Sequence, residues 1–186
     1  VSYEFASKMV TRANVYLHDD MVLSADVEKM LSKPANQSAL GSVGSELKRR
    51  VLLKNEDFGI SLKHYLAYTL KSLLGHPYPS KPQSGELNAF RIDVEKTDIP
   101  IPSDNVDVSA LYELSSCEPK LAKLSTFRFL SHINAFETVN TNRLHVAIAA
   151  AKLGKKVNLY GNNYFKIRAI YEYSLKGKYA NVTWKE

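Results

Sequence analysis

Arg143 and His145 stand one residue apart at the start of an apolar run, Arg143 to Leu153 (RLHVAIAAAKL), that has helical character and stops at Gly154. A helix leaves its first backbone N–H groups without internal partners and carries partial positive charge at that end, so an anion settles there readily. Arginine adds a planar fork for phosphate or carboxylate, and histidine adds a titratable donor. Residues two apart on a regular helix point about 200° apart. Both side chains therefore reach one ligand only if Arg143 sits at the half-in boundary of the helix, with Thr141 or Asn142 expected as its cap. The bland alternative at this spacing is a satisfied core histidine beside a surface arginine ion pair.

Other polar residues fall where chemistry is commonly placed. Asn14 to Leu17 (NVYL) is a short β-type run that ends in His18, Asp19 and Asp20, and α/β proteins put ligand groups at such strand ends. Asp104, Asn105 and Asp107 have metal-like spacing, yet neither the glycine nor the later glutamate of a calcium loop follows. Capping of a helix near Ser109 is the expected role. The single cysteine, Cys117, forms no internal disulfide and no structural zinc set, which suits a reducing compartment.

These residues must be positioned by the elements around them. A chain of 186 residues that is 45% hydrophobic can bury one substantial core, so a single domain is expected. Ser2 to Met9 already has amphipathic helical character directly after Val1, and the chain is expected to be a piece of something longer. A helix from Ser24, with Ser24 as N-cap and Val27, Met30 and Leu31 on its buried face, is expected to stop near Lys33 and Pro34. Residues 35–86 read as a helical insertion and loop: Glu46 to Leu53 and Asp57 to Leu74 have helical spacing, and His76 to Glu86 is rich in proline. Strand character resumes over Leu87 to Val94, Pro100 to Asn105 is a turn, and Cys117 to Ala135 is helical.

Two crossovers then follow. The first runs as strand Glu137 to Thr141, helix Arg143 to Leu153 and strand Lys156 to Tyr160; the second continues as helix Tyr164 to Leu175 and strand Asn181 to Trp184. Strand and helix alternating at this spacing argue for an α/β fold with a parallel sheet. No apolar run approaches the roughly 20 residues that span a bilayer. From Lys152 onward eight Lys or Arg face two Glu, which accounts for the whole net charge of +6. Such a surface favours phosphorylated ligands or anionic headgroups; no nucleic-acid module accompanies it, so nucleic acid is not the expected partner.

The run TNRLHVAIAAAKLGKKVNLYGNNYFKIRAIYEYSL resembles the C-terminal signature of the polysaccharide pyruvyl transferase family. VSYEFA, NVYLHDDMVLSAD, LNAFRIDVEKTD and PSDNVDVS are similar to its exopolysaccharide branch. The resemblance covers most of the chain except the insert at Pro34 to Gly85. It implies a Rossmann-like half of a GT-B-type two-lobe fold and transfer of pyruvate from phosphoenolpyruvate onto two sugar hydroxyls, leaving a ketal and free phosphate. Phosphoenolpyruvate is then the donor substrate, no cofactor is needed, and the acceptor is a saccharide or lipid-linked oligosaccharide. The family's N-terminal lobe is missing from this chain and becomes an implied partner. The implied location is cytoplasmic, with peripheral contact at the inner membrane a further expectation.

Residue by residue, the family's R-x-H motif falls on Arg143 and His145, and Arg91 resembles a second donor-site arginine. The resemblance implies His145 as general acid toward the methylene carbon of phosphoenolpyruvate, with Asp20 or Asp93 accepting the hydroxyl proton. Asn142, Asn163 and Lys166 are further substrate-binding candidates; the plainer roles of Asn162, Asn163 and Lys166 are turn formation and a solvated lysine. Two alternatives stand beside this expectation. One is a glycosyltransferase using a nucleotide sugar, which would need an apolar slot for the base. The other is a non-catalytic module that binds anionic polysaccharide or membrane.

Overall fold

A computed structural model describes residues 20–32, 85–93, 99–113, 119–163 and 165–185. The expected helix and strand before Asp20, the expected helices of the insertion and Cys117 lie outside these residues. Four short strands carry the core on one face: β1 (Glu86–Asn88), β2 (Thr138–Thr141), β3 (Lys156–Tyr160) and β4 (Val182–Lys185). All neighbours are parallel and the spatial order is β1-β2-β3-β4. Parallel pairing requires crossovers, which the intervening helices supply. The chain is thus α/β with a parallel sheet, as its alternation of elements predicts.

Leu87, Val139, Val157, Leu159 and Val182 are all buried in a single core cluster. Side chains alternate across a strand, so the residues between them face the other way. There the register aligns Asn88 with Asn140 and Asn140 with Asn158. Asn158 Nδ2 donates to Asn140 Oδ1 at 2.7 Å, and Asn140 Nδ2 donates to Asn88 Oδ1 at 3.0 Å and Glu86 Oε2 at 2.8 Å. Asn88 Nδ2 in turn donates to Asp104 Oδ1 at 2.9 Å. This polar ladder fixes the loop that follows β1 relative to the sheet.

The helices are α1 (Val27–Ser32), α2 (Val108–Tyr112), α3 (Pro119–Asn134), α4 (Leu144–Lys152) and α5 (Lys166–Ile170). Val146 through Ala151 are buried without a break. An apolar girdle of this kind needs partners on several sides, and α4 packs on β2, β3, α3 and the 3₁₀ turn Met21–Ser24. Its four alanines in six residues let the neighbours approach closely. Gly154 ends the helix at a φ of +71°, a conformation that glycine adopts without the Cβ penalty. Beyond α5 the helix widens into a π turn, Tyr171–Leu175.

Several boundaries differ from expectation for identifiable reasons. Ser24 does not cap α1: it ends the 3₁₀ turn, and Asp26 accepts from the Lys29 N–H at 2.9 Å instead. Met30 is 42% exposed while Val27 is buried. β1 is shorter than Leu87 to Val94 because two asparagines capture the backbone beyond it. Asn105 accepts from the Phe90 N–H at 2.7 Å and donates to its carbonyl at 3.0 Å, and Asn142 accepts from the Arg91 N–H at 2.8 Å.

His132 on α3 is buried, hydrogen-bonded through Nδ1 to the Tyr112 hydroxyl at 3.0 Å and stacked on Phe136. Burial pushes the imidazole below its ordinary value of 6.5. The unfolded chain therefore binds the proton more readily than the folded one. The resulting stability is fully present above pH 6.5 and is lost as the pH falls through the lowered folded value. Urea unfolding is expected to show a lower midpoint at pH 5 than at pH 7.5, and His132→Gln is expected to flatten that dependence; equal slopes in both proteins would remove His132 as its source.

Candidate functional site

The turn after β2 brings together the residues singled out by type. Arg143 occupies the N-cap of α4 with extended backbone, φ −99° and ψ 119°, and makes no side-chain cap bond. The cap is thus neither Thr141 nor Asn142, whose side chains are engaged elsewhere. Thr141 Oγ1 donates to the Ala89 carbonyl at 2.7 Å and accepts the Arg143 N–H at 3.0 Å. Asn142 Oδ1 holds the Arg91 N–H. The half-in position of Arg143 meets the geometric condition for Arg143 and His145 to serve one ligand.

Arg91 and Arg143 converge on one carboxylate. Asp93 Oδ2 lies 2.8 Å from Arg91 Nη2 and 3.6 Å from Arg143 Nη2. Arg143 Nη2 also donates to Asp107 Oδ2. The two carboxylates differ in setting. The Asp107 side chain is 8% exposed and also caps α2 by accepting from the Ala110 N–H, whereas Asp93 is 43% exposed. The metal-like spacing of Asp104, Asn105 and Asp107 thus resolves into a hydrogen bond to Asn88, a clamp on Phe90 and a cap that grips Arg143. Among the described residues no group of His, Cys, Asp and Glu is placed to hold a metal ion.

His145 is largely exposed, with Nε2 3.7 Å from Asp20 Oδ2. Asp20 is held by the 3₁₀ turn, where its Oδ1 accepts from the Val22 N–H at 3.0 Å. That turn is tied to the far end of α4 by Lys152 Nζ, which donates to the Leu23 carbonyl at 2.8 Å. One helix therefore sets both partners of the His145–Asp20 pair.

A cavity of about 210 Å³ is lined by Arg91, Asn142, Arg143, His145, Asn162 and Lys166, among others. Among the described residues, Asn142 Nδ2 and Arg143 Nε in its wall are buried with no hydrogen-bond acceptor, and Asn142 is only 1% exposed. Unsatisfied buried donors are costly and call for an acceptor. In the turn before α5 it is Asn162 that lines this wall; Asn163 is exposed. Gly161 lets that turn pass close to Trp184, whose ring would lie 3.3 Å from an added Cβ.

Asp107 and Asn162 join the site without having been expected there from sequence. Asp107 carries a capping signal, but its grip on a residue 36 positions away has no local signature. A second, more apolar chamber of about 530 Å³, lined by residues including Val22, Tyr112, Phe129 and Leu130, shares Ser109 and His145 with the first.

No protein-family model matches the chain, and no curated protein matches it. An uncharacterized protein of Klebsiella pneumoniae with a solved structure is 31% identical over 59% of this chain, with a TM-score of 0.48. The match covers 40% of that protein's length.

Asp107→Ala removes a helix cap and strips a poorly exposed arginine of its counter-ion. A cost of about 2–4 kcal/mol in urea unfolding is expected. Asp93→Ala, at the exposed end of the same cluster, is expected to cost under about 1 kcal/mol. Equal costs would contradict the different anchoring of the two carboxylates.

Proposed function

We propose that this chain is the donor-binding lobe of a polysaccharide pyruvyl transferase, a Rossmann-like half of a GT-B-type fold. It acts on phosphoenolpyruvate in the cytoplasm, with the acceptor saccharide or lipid-linked oligosaccharide and the second lobe completing the cleft. The convergence of Arg91 and Arg143 on the single carboxylate of Asp93 carries this reading. Two guanidinium groups at that separation suit a small ligand bearing both phosphate and carboxylate, each taken by one planar fork. Asn142 Nδ2 and Arg143 Nε offer the donors such a ligand would satisfy.

In the proposed reaction His145 protonates the methylene carbon, and a sugar hydroxyl attacks the oxocarbenium-like carbon that results. The hydroxyl proton passes to a carboxylate. Asp20 is the better placed of the two candidates, because it faces His145 at 3.7 Å and can return the proton to the imidazole. Cleavage of the C–O bond to phosphate regenerates the oxocarbenium-like carbon; the second hydroxyl attacks it, its proton leaves on the released phosphate, and the ketal closes. Lys166 and Asn162 line the same cavity and add a cation and an amide to the anion-binding wall.

The apolar chamber beside His145 favours a second reading, a glycosyltransferase whose nucleotide-sugar donor seats its base there. A phosphate-release assay with an acceptor oligosaccharide separates the two. With phosphoenolpyruvate, turnover is expected to fall about 10²–10³-fold in Arg143→Ala and about 10²–10⁴-fold in His145→Gln. Turnover with a nucleotide sugar and none with phosphoenolpyruvate would sink the pyruvyl transferase reading. Polysaccharide binding unchanged by Arg143→Ala would instead favour a non-catalytic module.

A further inference from the structure

We infer that Asp93 is an internal competitor for the anion site: its carboxylate occupies the span between Arg91 and Arg143 that a ligand anion must take, and it leaves when the ligand enters. The inference rests on the anion-binding role proposed for this site, but not on the identity of the donor.

Placement supports it first. Asp93 Oδ2 bridges the two guanidinium groups at 2.8 and 3.6 Å, the position of one oxygen of a bound phosphate or carboxylate. Charge supports it second. Among the described residues two arginines face two carboxylates, and an entering anion meets the charge of both until one carboxylate withdraws.

The anchoring of the two decides which one withdraws. Asp107 is nearly enclosed, caps α2 and pairs with Arg143. Displacing it would uncap a helix and bury an unpaired charge. Asp93 is 43% exposed, its neighbour Ile92 is 66% exposed, and its carboxylate can turn into water at the modest cost of a solvent-accessible ion pair. Asp107 thus holds Arg143 in place for the ligand while Asp93 reserves the site. Only a ligand able to engage both arginines replaces the contacts with Arg91 and Arg143 that Asp93 gives up. Small monoanions are thereby disfavoured.

Such competition lowers every affinity that uses the arginine span by one common factor, the population of the open site. Calorimetry on the full chain at about 0.15 M salt, where distant charges are screened, tests this with inorganic phosphate and with phosphoenolpyruvate. Asp93→Asn and Asp93→Ala are expected to tighten both ligands by the same factor, about three- to ten-fold. Glu113→Gln removes a carboxylate from a cavity that Asp93 and both arginines also line, and is expected to change either affinity by less than about two-fold.

Unchanged or weaker phosphate binding in both Asp93 variants overturns the inference. So does an equal gain in Glu113→Gln, which would reveal a general charge effect, or an absence of phosphate binding in every protein. If Asp93→Asn loses turnover while phosphate affinity stays constant, Asp93 is the proton acceptor and not a competitor. Tighter phosphate binding with no phosphoenolpyruvate binding in any variant would uphold the competitor and remove the donor reading alone.

Discussion

The two side chains at the end of β2 organise everything around the site. Thr141 spans from the Ala89 carbonyl to the Arg143 N–H, and Asn142 accepts the Arg91 N–H. Both residues are buried, at 0% and 1% exposure, so these hydrogen bonds are sheltered from competing water. Through them one turn fixes the backbone of both arginines, although Arg91 and Arg143 are far apart in the chain. Replacing Thr141 by an apolar residue would leave backbone groups of Ala89 and Arg143 unpaired at once, and replacing Asn142 would leave the Arg91 N–H unpaired.

The parallel sheet provides the platform for that turn. Its core face is aliphatic and carries α4; its other face carries the Asn88, Asn140 and Asn158 ladder. The ladder continues through Asp104 into the loop that contains Asn105 and Asp107. Polar side chains that look unremarkable one by one thus form a continuous linkage from mid-sheet to the counter-ion of Arg143. The loop approaches the C-terminal ends of the strands, where open α/β sheets gather their ligand groups.

The site combines fixed and displaceable charge. Asp107 and the N-cap position restrict Arg143, while Asp93, His145 and Lys166 lie at the more exposed rim. Rigid donors lower the ordering cost of binding an anion, and an exposed internal carboxylate keeps the arginines oriented before the ligand arrives. No described helix is long and apolar enough to cross a membrane.

By itself the sequence determined the element types and much of their extent over the C-terminal third. The run from Lys156 to Tyr160 is the observed strand β3, Gly154 is the helix stop, and the apolar girdle of α4 demanded the burial it has. These features follow from local periodicity and local backbone preference, which a linear pattern records. The pairing of Arg91 with Arg143 came only as an implication of resemblance; capping by Asp107 near Ser109 was legible, but its grip on Arg143 and the clamps made by Asn105 and Asn142 were not. Only tertiary structure decided them. A side-chain hydrogen bond to a backbone group 15 or 51 positions away leaves no periodic trace in the chain, and it can shorten a strand or move a helix cap by one residue.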